Sequence, residues 1–336
     1  MMASLVASIP SPSANGISLG PLDLRAYGFL IALGVLAGVW LSSRRLAEFG
    51  LNPEIIPNVA LWVLPAAIIG ARAYFVLTNW GRFSDDLGAA FRLWEGGLGI
   101  PGGVALGAAV GVWRLKRDDI PLPPVFTAVA LGLPLGQIIG RWGNWFNQEL
   151  YGRPTDLPWG LEIDLDHRLA GYESFELFHP TFAYEIIWNI GLLGFLLWID
   201  RKNVLKPGGL FAVYLIGYGI GRIAIETVRI DPVNSFLGIR LHIWAMVVFI
   251  AAALVYLYRS GWARDGEGAL DVRYDDATGR QESAMAAASE DDDAALDLTD
   301  DGDAGDRADS GDRADGIDED SDEDGGADTP SATTTA

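Results

Sequence analysis

Residues 140–153 read GRWGNWFNQELYGR and follow directly on the apolar run VFTAVALGLPLGQII. Arg141, Asn144, Asn147 and Glu149 therefore stand at the mouth of a segment apolar enough for lipid, where ionisable groups are expensive and by default functional. A second polar set lies further along the chain. Tyr218, Arg222 and Glu226 are spaced i, i+4, i+8 and share one face of a helix. Arg72 sits inside another apolar run. Two chemistries fit these residue types. One is structural, with Arg222 paired to Glu226 and Arg141 to Glu149 as helix-locking ion pairs. The other is recognition of an anionic phosphate, because guanidinium presents a planar fork of donors to phosphate oxygens. Convergence of several such groups at one depth favours the second.

The elements that must position them are apolar runs near the length of a bilayer crossing, about 20 residues at ~1.5 Å rise each. Seven are read, at 27–43, 55–78, 98–115, 124–140, 180–199, 209–228 and 241–258. Backbone groups in lipid must be satisfied within the segment, so the runs are helices and the expected fold is an all-α polytopic membrane protein. The domain plan is an N-terminal segment 1–26, a seven-helix domain 27–260 with a small cap at about 145–179, and a tail 261–336.

Basic residues set the expected orientation. Arg44 and Arg45 follow run one; Arg114, Lys116 and Arg117 follow run three; Arg201, Lys202 and Lys206 follow run five; Arg259 and Arg264 follow run seven. By the positive-inside rule these loops are cytoplasmic, which puts the N-terminus and the cap outside and the tail inside. Trp80, Trp94, Trp142, Trp145 and Trp159 then form an outer aromatic belt. On this arrangement Arg222 lies six residues below the outer end of run six, roughly 9 Å down, and Arg72 lies at a similar depth.

The net charge of −20 belongs to the tail: residues 264–336 hold 25 acidic residues and five arginines, which leaves 1–263 neutral. The tail is poor in large apolar residues, so disorder is expected, and its charge disfavours a nucleic-acid partner. The chain has no cysteine, which excludes disulfides, an internal thiol nucleophile and Cys-based metal sites. The segment MMASLVASIPSPSANG lacks a basic start and is a poor signal peptide, so the first helix is expected to direct insertion.

GRWGNWFNQELYGR resembles the signature of prolipoprotein diacylglyceryl transferases, G-R-x-G-N-x-x-N-x-E-x-x-G, at Gly140, Arg141, Gly143, Asn144, Asn147, Glu149 and Gly152. The segments ISLGPLDLRAYG, GARAYFV, LWEGGLGIPGG, HPTFAYE and GYGIGRIAIETVR are similar to further family blocks, so the likeness covers about residues 17–260. It implies an enzyme of the bacterial plasma membrane. The enzyme moves the diacylglyceryl group of phosphatidylglycerol to the lipobox cysteine of a prolipoprotein signal peptide, forms a thioether and releases glycerol phosphate. The nucleophile belongs to the substrate, which agrees with a chain free of cysteine. One departure stands out: well-studied members carry a histidine, proposed as catalytic, where this chain has Pro101, and the histidines here are His167, His179 and His242.

The chemistry requires a thiolate, stabilisation of a leaving phosphate, and alignment in a dry site. A cysteine thiol has a pKa of about 8.5, which nearby guanidinium lowers. Arg141 and Arg222 are expected to bind the phosphate and stabilise the leaving group. Asn144 and Asn147 donate to the head group, Glu149 orients Arg141 or accepts the thiol proton, and Tyr27 and Tyr218 either bond the head group or are interfacial rings. Arg72, Glu226 and Gly152 complete the expected lipid site. Gly143 and Gly152 allow close backbone approach, His179 starts the fifth helix, and His167 lies in the cap that receives the peptide. No cofactor or metal is expected. A lipid or anion transporter is the main rival, opposed by polar groups that cluster at one face rather than at the midplane. A non-catalytic lipid-binding relative is the other, supported by Pro101.

Overall fold

The computed structural model describes residues 8–19, 22–93, 96–233, 235–261, 272–274 and 281–283. Each of the seven apolar runs becomes a helix: α1 (Ala26–Ala47), α2 (Ile55–Thr78), α3 (Ile100–Arg117), α4 (Leu122–Phe146), α5 (Thr181–Lys202), α6 (Gly209–Glu226) and α7 (Leu241–Ser260). Six of them are long and apolar enough to cross a membrane; α3 falls short because Arg114, Lys116 and Arg117 fill its last turn. Large apolar side chains such as Leu36, Leu61, Ile69, Val248 and Leu254 stay exposed on the helices, as lipid-facing residues would. The chain is a polytopic membrane protein.

Short strands supplement the helices. β1 (Gly16–Leu19) and β2 (Leu22–Arg25) form an antiparallel pair leading into α1. β3 (Leu161–Glu162) pairs with β4 (Leu177–Phe178) between α4 and α5, and β5 (Ser235–Phe236) pairs with β6 (Ile239–Arg240) before α7. The expected disordered tail lies outside the described residues apart from Gly261 and two strands. These, β7 (Val272–Tyr274) and β8 (Gln281–Ser283), pair antiparallel; Val-Arg-Tyr is β-prone despite its acidic surroundings. Trp94 and residues 1–7, read as belt and as poor signal peptide, also lie outside the described residues.

Two helix pairs interlock through glycine. Gly34 and Gly38 of α1 lie on Gly136 and Gly132 of α4, where an added Cβ would come within 2.7 and 2.9 Å of the facing carbonyl oxygens. Gly70 of α2 and Gly102 of α3 meet in the same way, with 2.3 and 2.2 Å left for a Cβ. Lipid tails are as apolar as side chains, so close backbone approach of this kind drives association. Pro101 occupies the first turn of α3, where its missing N–H takes nothing from the helix.

The segment between α4 and α5 folds as a cap with a core of its own. Tyr151, Leu161, Ile163 and Phe178 are buried and join Phe182 and Ile186 of α5, with Ile9 packed alongside. Ile9 bridges Leu161, and Gly152 bridges Arg229, so the cap is stitched both to the N-terminal segment and to the chain after α6.

Candidate functional site

The fourth run was expected to end at residue 140, but α4 continues to Phe146. Arg141 and Asn144 therefore stand one turn apart on its last turns, and Arg141 Nη1 donates to Asn144 Oδ1 at 3.3 Å. Asn144 Nδ2 donates in turn to Glu149 Oε1 at 2.8 Å, and Asn147 Nδ2 reaches the same oxygen at 3.4 Å. Asn144 thus links Arg141 to Glu149 in place of a direct ion pair.

Glu149 sits on a turn of unusual geometry. Its neighbours Gln148 and Leu150 both have left-handed backbones, φ 49° and 61°, which non-glycine residues adopt only when their surroundings enforce it. The enforcement is visible. Gln148 Nε2 donates to Asp164 Oδ2 at 2.6 Å while Asp164 N donates to Gln148 Oε1 at 2.8 Å, and Thr181 Oγ1 donates to the carbonyl of Leu150. The Gln148 amide holds the Asp164 carboxyl below its usual range, with Ser11, His167 and Arg168 adding to the effect.

The arginines converge on a residue that sequence reasoning did not single out. Glu185 of α5, only 4 % exposed, takes Arg141 Nη2 on Oε2 at 2.6 Å and Arg222 Nη1 on Oε1 at 3.2 Å, with Arg229 Nη1 3.9 Å from Oε1. Glu226 forms a second hub: Arg222 Nη2 lies 2.8 Å from Oε2, and Arg240 Nε and His242 Nδ1 lie 2.6 and 3.2 Å from Oε1. Asp231 closes the ring with Arg229 Nε at 2.7 Å and Arg240 Nη2 at 3.3 Å. Four guanidiniums meet three carboxylates here. Burial lowers the pKa of Arg229, but its bond to Asp231 and the nearby Glu226 and Glu185 outweigh that, so it rises overall and the group stays charged. Glu185, Arg229, Asp231, Arg240 and His242 were missed as site residues. Glu185 did leave a sequence signal, a lone carboxylate inside an apolar run.

Among the described residues the arginines differ in what they leave unspent. All five N–H donors of Arg72 bind backbone carbonyls of Ala89, Ala90, Arg92, Gly96 and Gly97, so it pins the loop after α2 and is not brought to the cluster. Arg141 and Arg222, in contrast, make no bond through Nε to a described residue. Their side chains are 20 % and 10 % exposed.

Tyr27 of α1 lies over Gly143, where a Cβ would sit 2.8 Å from its ring, and its side chain is within electrostatic reach of Glu149 and Arg141. Tyr218, one turn below Arg222, stacks on Tyr214 with centroids 5.8 Å apart, and Tyr214 accepts from Gln137 Nε2 at 3.0 Å. Gly152 is a strut. Its N–H donates to the His179 carbonyl at 2.9 Å, and a Cβ would meet His179 Cβ at 2.8 Å and Val228 Cγ1 at 2.9 Å. His179 stands just before α5, as expected, with Nδ1 3.0 Å from the Tyr184 hydroxyl; burial, then Arg153, hold its pKa down. His167 ends a single turn of the cap, and its carbonyl accepts from the Tyr151 hydroxyl at 2.9 Å.

The chain is similar to known proteins over most of its length. The family model described as prolipoprotein diacylglyceryl transferase matches residues 15–259. Phosphatidylglycerol–prolipoprotein diacylglyceryl transferase 2 of Streptomyces coelicolor is 48 % identical over 265 residues, 78 % of this chain and 83 % of its own. The Streptomyces griseus enzyme of that name is 46 % identical over 266 residues, 78 % and 80 % of the two chains. Its Corynebacterium efficiens counterpart is 41 % identical over 309 residues, 88 % and 93 % of the two chains. With most of its length matched and the polar residues of α4, α5 and α6 gathered into one cluster, the chain belongs to the prolipoprotein diacylglyceryl transferase family.

Proposed function

We propose that the protein transfers the diacylglyceryl group of phosphatidylglycerol to the lipobox cysteine of prolipoproteins, as the names of its relatives indicate for them. It does so in the bacterial plasma membrane with the cap outside and the basic loops and acidic tail in the cytoplasm, an orientation supported by the lysines and arginines after α1, α3, α5 and α7.

The observation that carries the reading is the meeting of Arg141 and Arg222 on one buried carboxylate, with Nε donors left over, beside the Asn144–Glu149 pair. Glu185 sets the spacing of the two forks, and the lipid phosphate takes the donors that remain. In the reaction the substrate thiolate attacks the glyceryl carbon that carries the phosphate ester. A C–S bond forms, the C–O bond breaks, and its electron pair leaves on the phosphate oxygen. Charge grows on that oxygen, where preorganised guanidiniums stabilise it most. Asn144, Asn147 and Glu149 line the head-group side, and Tyr27 closes the site from α1. The cap, tied to the N-terminal segment through Ile9, receives the signal peptide.

The test is release of glycerol phosphate by purified protein given phosphatidylglycerol and a lipobox peptide, with a Cys→Ala peptide as control. Cysteine-dependent release is expected. Lipid binding without release would instead identify a non-catalytic relative, with Pro101 the first position to change.

A further inference from the structure

The cluster contains one group that phosphate binding does not use. His242 is the second residue of α7, and its Nδ1 lies 3.2 Å from Glu226 Oε1. A carboxylate has no proton to donate, so the shared proton is carried by Nδ1, which in the neutral form of the ring leaves the lone pair at Nε2. Nε2 makes no hydrogen bond to a described residue. The side chain is 34 % exposed whereas Glu226 is fully buried, so the ring leads from a buried anchor toward the surface.

Other groups are placed differently: Glu149 accepts from two amides on Oε1, His179 pairs with Tyr184 beside Arg153 and makes no ion pair with a described residue of the cluster, and Pro101 has no proton chemistry. Resting on the transferase reading above, we propose that His242 is a catalytic residue that takes the proton of the substrate thiol. The S–H proton passes to Nε2, the sulfur attacks the glyceryl carbon, the C–O electron pair goes to the phosphate oxygen, and the proton is then surrendered to that oxyanion or to water. Arg222 binds the opposite oxygen of Glu226, Oε2, at 2.8 Å, so one carboxylate orients both the proton acceptor and a guanidinium for the leaving group. The charged groups around the ring are Glu226 and Arg222 of α6, Arg240 before α7, and Arg229 and Asp231 in the connection.

The experiment compares the full-length protein with H242Q in detergent, following glycerol phosphate release with a lipobox peptide from pH 6 to 9.5 alongside binding of phosphatidylglycerol. The wild type must first show cysteine-dependent release; if it does not, the transferase reading falls and His242 with it. H242Q is expected to bind lipid normally, to lose roughly 100-fold in rate at neutral pH, and to recover as the thiol ionises by itself near about pH 8.5. A neutral-pH rate within twofold of wild type overturns the proposal, and so does a loss that high pH does not recover. If H242Q does not fold, H242N is read in the same way: a neutral-pH loss that high pH recovers supports the proposal, and a neutral-pH rate within twofold of wild type or a loss that high pH does not recover overturns it.

Discussion

Arg141 Nη2 lies 2.6 Å from Glu185 Oε2, joining the end of α4 to the start of α5 at a residue only 4 % exposed. The same carboxylate takes Arg222 from α6, so three helices meet on one side chain. Removal of one partner from a buried charge cluster typically destabilises by about 3–5 kcal/mol, because the charges left behind have lost both water and counter-ion. Glu185→Gln keeps the shape and removes the charge. A clear fall in thermal midpoint in detergent is expected, together with lost turnover. An unchanged midpoint would show that the arginines do not depend on Glu185.

Arginine identity matters differently at three positions. Arg141→Lys and Arg222→Lys put a point charge where a fork bridges partners, and each is expected to lower kcat/KM by at least tenfold, about 1.4 kcal/mol. Arg72→Lys strands several of the carbonyls between residues 89 and 97. It is expected to lower the midpoint while the folded fraction keeps most of its turnover. Turnover lost at Arg72 with an unchanged midpoint would return that residue to the site.

Gly152→Ala forces a methyl to within 2.8 Å of His179 Cβ and 2.9 Å of Val228 Cγ1. Backbone on both sides must move, at about 1–3 kcal/mol. Since the strut joins the cap to the chain after α6, faster proteolysis within the cap is the readout, and resistance equal to wild type would contradict it.

His179 gives stability a pH dependence. Its folded pKa lies below the usual imidazole value of about 6.5, so below that pH the unfolded chain binds more protons and stability falls as pH falls. The midpoint is expected to drop between pH 7.5 and 5.5, and His179→Asn is expected to flatten that drop. An equal slope in the variant would assign it elsewhere.

The seven apolar runs and the Arg222–Glu226 pair were legible because both are local: the first is a matter of length, the second of i, i+4 spacing. What was hidden depends on contacts across helices. Arg141 to Phe146 lay beyond the expected end of the fourth run, yet they stay helical, with Arg141 and Asn144 paired to Glu185 and Glu149. Arg72 was expected at the depth of Arg222, but depth along the membrane normal says nothing of lateral position; its partners are the carbonyls of its own following loop. Glu185 stood within a segment quoted for its likeness to a family block, but a single sequence does not reveal which cations a buried acid will gather.

The left-handed pair Gln148 and Leu150 has a consequence for how a large, flexible lipid is greeted. A loop that must be ordered on binding subtracts from affinity, by about 0.5–1.5 kcal/mol for each side chain immobilised. Here Asp164 and Thr181 have already frozen the turn before any substrate arrives. Under the proposed function, Glu149 meets the lipid from a turn already fixed, and the protein loses little entropy at that turn.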